Sequence, residues 1–342
     1  MKKLVKMVGT GVAVLIGLAA LLAAISIARN AYVPSSPVGI ERALVQDAGR
    51  APIEVTILYP TNAAPSWHWA GLWAAKLASG GGVAGTKLPL VVLSHGTGAT
   101  PLSHLDSAIA LVEAGYIVAA PLHTGDNYRD DTLVGTPNWF VSRAGDVQRV
   151  DDFMLGRWAG RGHIDPDKLA FFGFSAGATT GLVAIGGQPD LAMIEPHCAA
   201  HPEFVCTLRK PGGHERTVPP DAWPHDPRIK AAVLVAPGLG FTFPASGLRR
   251  VRTPVQLWVG DRDQQVPPAT NADAVKAALP AEPDYRRVPG ADHFSFLPPC
   301  GLMSVALPKA LCHDRPGFDR AAFHQSFNTA VVAFFDRQFD RR

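Results

Sequence analysis

The residues Leu169-Ala170-Phe171-Phe172 run directly into Gly173-Phe174-Ser175-Ala176-Gly177, and an alanine-rich segment follows at once. This junction constrains the fold more tightly than any other stretch. A short apolar run bounded by glycine suits a buried strand, the segment from Ala176 onward suits a helix, and no residues are left between them to build a loop. A chain can change from strand to helix this abruptly only through a sharp turn. The residue at its apex is strained, and the positions two before and two after it must be small. Glycine stands at both, at Gly173 and Gly177. The same alternation recurs along the chain. Continuous apolar runs at 90–93, 117–120, 231–235 and 255–259 are interleaved with helix-like segments at 103–114, 146–158, 176–185 and 269–279. Runs without a polar alternate suit strands covered on both faces, so the class is α/β, with a mostly parallel central sheet flanked by helices.

Around that core the expected organisation is one domain over residues 39–342 with two insertions. Residues 53–59 alternate β-branched and polar side chains and stop at Pro60, which reads as an antiparallel edge strand. Residues 61–87 hold Trp67, Trp69 and Trp73 but no clear strand period, and read as an insertion. Residues 188–228, rich in Pro, His and Cys, read as a second insertion capping the strand ends.

The amino terminus is of a different kind. Met1-Lys2-Lys3-Leu4-Val5-Lys6 is basic, and residues 7–28 then run without a charge. Such a stretch is long enough to stay in a bilayer as an anchor, yet Ser26-Ile27-Ala28 also offers a small-x-small cleavage site. Residues 1–28 are therefore a signal peptide or an N-terminal membrane anchor, followed by a linker at 29–38. Either way the lysines stay cytoplasmic and the remainder crosses, placing the protein in the periplasm or outside the cell, or anchored to the inner membrane. The net charge of +3 comes from dispersed basic and acidic residues, which argues against a nucleic-acid partner. Four cysteines fit export. Of the three possible connectivities the local one, Cys198 with Cys206 and Cys300 with Cys312, is expected. No Cys-x-x-Cys spacing supports a metal site, although His197, His201 and His214 lie near the first couple.

The chemistry follows from the exposed serine. A hydroxyl becomes a nucleophile only when a base removes its proton, so a histidine and an orienting acid should follow along the chain. Gly260-Asp261-Arg262-Asp263 comes directly after the apolar run 255–259, which puts its carboxylates in a loop at the carboxyl end of a strand. Asp263 is the expected acid and Asp261 the alternative. His293 follows in Pro289-Gly290-Ala291-Asp292-His293-Phe294, a loop after the strand-like segment 285–288, and the order Ser175, Asp263, His293 is complete. His313 and His324 are weaker candidates, expected at the surface or in the core. Negative charge developing on a substrate carbonyl needs two preorganised N–H donors. Ser94-His95-Gly96-Thr97-Gly98 ends the run 90–93, and its glycines let the main chain approach a ligand. The expected donors are the N–H groups of Thr97 and Ala176.

With these pieces placed, the chain resembles the α/β-hydrolases. It is most similar to their dienelactone hydrolase-like branch and to the platelet-activating-factor acetylhydrolase type, over roughly residues 39–339. The matching stretches are Pro89-Leu90-Val91-Val92-Leu93-Ser94-His95-Gly96-Thr97-Gly98, Ile117-Val118-Ala119-Ala120-Pro121, the turn from Gly173 to Gly177, and Gly290-Ala291-Asp292-His293-Phe294. The resemblance implies a triad of Ser175, Asp263 and His293, with Thr97 completing the oxyanion hole. It also implies a carboxylic ester hydrolase that needs no cofactor and takes small-molecule esters. Dienelactone hydrolases carry cysteine at the nucleophile position, whereas this chain has Ser175, which suits ordinary esters, short acyl groups or polyester fragments. Two alternatives differ in kind: amide, thioester or lysophospholipid hydrolysis on the same scaffold, and a catalytically silent, membrane-anchored binding protein.

Overall fold

The computed structural model describes residues 30–47, 49–208, 218–300 and 307–341, together with Val14, Gly17, Leu18, Leu21, Ile25 and Ile27 of the N-terminal segment. The sheet opens with β1 (Val38–Val45) and β2 (Ile53–Pro60), followed by the hairpin β3 (Ser66–Ala70) and β4 (Trp73–Ser79). The continuous apolar runs then form β5 (Leu88–Ser94), β6 (Ile117–Pro121), β7 (Ile164–Phe174), β8 (Ile229–Val235) and β9 (Val255–Gly260), and β10 (Asp284–Val288) completes the sheet. The strand order is β10-β9-β8-β7-β5-β6-β2-β1-β4-β3. From β10 to β6 every pairing is parallel, and β2 joins β6 and β1 antiparallel.

Alternate residues of the central strands face opposite layers. Val92, Phe171, Leu234 and Leu257 pack with α2 (Trp139–Gly156) and α3 (Ala176–Ala184) on one face. Their neighbours Val91, Phe172 and Val233 pack on the other face with α1 (Leu105–Glu113) and the C-terminal helix α6 (Arg320–Gln338). This two-sided burial is why the runs carry no polar alternate. Helices α4 (Ile194–Ala200) and α5 (Ala272–Ala278) add Ile194, Ala272 and Val275 to the core on the α2 and α3 face.

Several expectations need correction. Residues 53–59 are antiparallel but not at an edge, because β2 is paired on both sides, and Thr56 is only 6% exposed. Residues 61–87, in which no strand period is legible, carry β3 and β4, which extend the sheet so that β3, not β2, forms its edge on that side. The period was hidden because Ala74 and Ala75 put similar small side chains on both faces of β4. The linker at 29–38 is pinned to that strand, Tyr32 N–H donating to the Ala74 carbonyl (2.9 Å) and Lys76 N–H to the Tyr32 carbonyl (2.8 Å). α2 begins at Trp139, ahead of the expected 146, because its first turns are held by buried Trp139, Phe140 and Arg143. Residues 7–28 lie for the most part outside the described residues. Among the described residues no helix is long and apolar enough to cross a membrane. Part of the second insertion, 209–217, likewise lies outside them.

Candidate active site

β7 and α3 meet at Ser175, whose backbone sits at φ 55°, ψ −119°, with its N–H donating to the Val235 carbonyl (2.8 Å). The glycines beside it are required by contact. A Cβ on Gly173 would meet the Gly177 carbonyl oxygen at 2.3 Å, and one on Gly177 would meet the Ser94 carbonyl oxygen at 2.0 Å. The turn thus lifts Ser175 above the sheet while packing α3 against the end of β5.

Three loops at the carboxyl ends of β7, β9 and β10 converge there. His293 Nε2 lies 3.0 Å from Ser175 Oγ, and His293 Nδ1 lies 2.7 Å from Asp263 Oδ2. With Nδ1–H donating to the carboxylate, Nε2 is left to accept the serine proton. Both side chains are buried, and the other Asp263 oxygen accepts the N–H groups of Gln265 (2.9 Å) and Val266 (2.7 Å). Asp261 does not reach the imidazole. It accepts the Gly290 N–H (2.7 Å) and so steadies the loop that carries His293. The same loop is held from behind by His324, buried rather than exposed. His324 donates from Nε2 to the Ser295 carbonyl (2.9 Å), and its Nδ1 is 2.6 Å from Asp106. Burial raises the Asp106 pKa, but the charge and hydrogen bond of His324 outweigh it and hold the carboxyl below its usual range. His313 is exposed.

Opposite the serine, the 94–98 loop and the first turn of α3 face one another. The N–H groups of Thr97 and Ala176 have no hydrogen-bond partner among the described residues, and Ala176 holds the first helical position, where an N–H has no intrahelical acceptor. The clamp that sets their spacing was not foreseen from sequence. Arg143, fully buried, donates to Asp126 Oδ2 (2.6 Å), Thr180 Oγ1 (2.8 Å), Ser94 Oγ (3.2 Å) and the His95 carbonyl. Asp126 in turn accepts the Gly98 N–H (2.8 Å) and the Trp139 indole (2.6 Å), while Thr180 donates to the Ala176 carbonyl (2.8 Å). One guanidinium therefore ties both sides of the donor pair together. Burial first, and then the Arg143 charge, keep the His95 and His123 pKa values well below the ordinary imidazole value, so both rings are neutral. His95 can then donate from Nδ1 to the Gly96 carbonyl (2.7 Å) and accept the His123 N–H (3.3 Å).

Ser175, His293 and Thr97 line a cavity of about 360 Å³ whose other walls are mainly apolar, among them Leu72, Trp73, Phe174, Phe204, Phe294 and Leu311, with Ser103 and Gln265 as further polar side chains. Two disulfides bound it. Cys300–Cys312 joins the ends of the wall that carries Leu307 and Leu311, and Cys198–Cys206 closes the turn that carries Phe204. Among the described residues no group of three His, Cys, Asp or Glu side chains is placed to hold a metal ion.

No family model and no curated protein matches the chain in sequence. Solved structures do match in fold. A ferulic acid esterase from Streptomyces cinnamoneus superposes with a TM-score of 0.63 at 20% identity, covering 90% of this chain and 92% of that one. A puromycin-hydrolyzing peptidase from Mycobacterium tuberculosis superposes at 0.54 and 16% identity, covering 89% of this chain but 40% of that one. A dienelactone hydrolase from Anabaena variabilis gives 0.48 at 17% identity, over 87% and 98% of the two chains. The chain has the α/β-hydrolase fold.

Proposed function

We propose that this α/β-hydrolase-fold protein is an exported serine hydrolase that cleaves carboxylic esters, with Ser175 as nucleophile, His293 as general base and acid, and Asp263 as the group that orients and supports the imidazole. The hydrogen-bonded line from Ser175 Oγ through His293 to Asp263, on the wall of an apolar cavity, is the observation that carries the reading. As Ser175 Oγ attacks the ester carbonyl, its proton passes to His293 Nε2, and the negative charge on the carbonyl oxygen is received by the N–H groups of Thr97 and Ala176. His293 then protonates the departing alcohol, leaving an acyl group on Ser175. Water activated by the same imidazole releases the acid and returns the proton to the serine.

The cavity lies at the small end of the roughly 300–1,000 Å³ typical of ligand pockets, which favours a short acyl or a single aryl group. The ferulic acid esterase of the same fold gives an independent reason to include aryl esters in the test. Two disulfides support an oxidising compartment, and the basic-then-apolar amino terminus supplies the route there.

Hydrolysis of p-nitrophenyl esters from acetate to palmitate, and of feruloyl esters beside matched anilides, tests this with the full chain in mild detergent. Esters should be turned over in preference to anilides. Ser175→Ala should lower kcat by about 10⁶, and Asp263→Asn by about 10⁴. A folded wild type that cleaves no ester and does not react with a fluorophosphonate probe would overturn the proposal in favour of a binding protein.

A further inference from the structure

The chain has seven tryptophans, and five are buried: Trp73, Trp139, Trp158, Trp223 and Trp258 are each at most 8% exposed. Trp67 and Trp69 are 60% and 66% exposed. Both stand on the outer face of β3, two residues apart, while the intervening alternation turns Ala70 into the core. Their partners across the hairpin are Lys76 and Ala74. At its turn Leu72, also exposed, forms part of the lip of the cavity that holds Ser175. An apolar patch of this kind on an edge hairpin marks an interaction surface.

The path of the chain identifies the partner. Tyr32 forms a rung on β4 level with Ala75, and β3 lies on the other side of β4, about 10 Å from that rung at ordinary strand spacing. Residue 28, the last of the uncharged segment, is four residues earlier and so no more than about 14 Å away along an extended chain. Within that segment Val14, Leu18, Leu21 and Ile25 are 40–64% exposed, so the domain does not cover these four. Tryptophan with a neighbouring lysine is the pairing favoured at the headgroup level of a bilayer, where an amphipathic ring and a snorkelling ammonium are both satisfied.

We propose that the outer face of the β3–β4 hairpin, through Trp67, Trp69 and Leu72, rests in the headgroup region of the bilayer that receives residues 7–28, so that the adjoining cavity takes its ester from the membrane surface. This rests on the export and ester-hydrolase reading above.

The full chain, reconstituted into phosphatidylcholine vesicles with and without acyl-chain-brominated phosphatidylcholine, provides the test. Because the other five tryptophans are buried and residues 1–29 contain none, quenching by brominated lipid reports Trp67 and Trp69 alone. Wild type should be quenched, and the quenching should be lost in Trp67→Phe/Trp69→Phe and reduced in each single variant. Absence of quenching in wild type overturns the proposal without reference to any variant. So does quenching that persists in the double variant, or emission that shifts with protein concentration instead of with bromination, which would mean that a second copy covers the face. Fluorophosphonate labelling of Ser175 in the same vesicles separates the two readings. Labelling without quenching removes only the membrane contact, and quenching without labelling removes only the hydrolase.

Discussion

A guanidinium shut away from water must find acceptors for its donors inside the protein, and where it finds them decides what its removal does. Arg143 finds them on Asp126, Ser94, His95 and Thr180, groups that lie on both sides of the proposed oxyanion site. Removing one partner of such a buried pair leaves the other charge uncompensated, so Arg143→Met should cost about 3–5 kcal/mol in chemical denaturation. Arg143→Lys is more informative about function. An ammonium can still face Asp126, but it cannot bridge the His95 carbonyl and Thr180 at once. Its melting should stay cooperative while kcat falls by about 10²-fold at nearly constant KM, the size of loss expected when a reacting geometry slips by an ångström. A lysine variant with wild-type kcat would show that Arg143 only holds the core together. Nothing in the local sequence announced this role, since its hydrogen-bond partners lie 17 to 49 positions away along the chain.

At the scale of elements, the tightest joint is the one between β7, α3 and β5. Gly177→Ala would drive a methyl against the Ser94 carbonyl, which is backbone and cannot swing aside. We expect a loss of about 1–3 kcal/mol with a disproportionate fall in fluorophosphonate labelling of Ser175, measured beside thermal melting. Unchanged labelling would mean that the 94–98 loop yields without consequence. This joint was legible in the sequence because its rule is local: an apolar run, two small residues and a helix former in immediate succession. Asp263 and His293 were legible for a related reason, each lying just beyond a strand end. The edge hairpin was not. Alanines on both faces of β4 hid its period, and a buried threonine made β2 resemble an edge. The support given to the His293 loop by His324 and Asp106 was equally hidden, because α1 and α6 bring together residues 218 positions apart.

For the whole molecule, the buried carboxyl of Asp146 couples folding to pH. Burial raises its pKa to about 6, although it accepts the Thr124 N–H (2.9 Å) and faces Arg149 (3.3 Å). The folded state therefore holds this proton more tightly than the unfolded chain does. The stabilisation is complete below the unfolded value near 4 and is lost as the pH rises through about 6. Asp146→Asn cannot ionise, so its stability relative to wild type should improve between about pH 5 and pH 8, by roughly 1.4 kcal/mol, because pH 5 lies about one unit below the folded pKa. Calorimetry at both ends of that range checks it, and a constant difference would mean that the group does not titrate there. On the same scale, the side chains proposed for the chemistry belong to the strand ends, whereas two parts of the cavity wall belong to loops that the disulfides close over separations of only 8 and 12 residues. Each such loop is a covalently sealed cassette. Lineages descended from this scaffold are free to exchange one without re-evolving the sheet beneath it, so their diversity should accumulate in what they accept rather than in the reaction they perform.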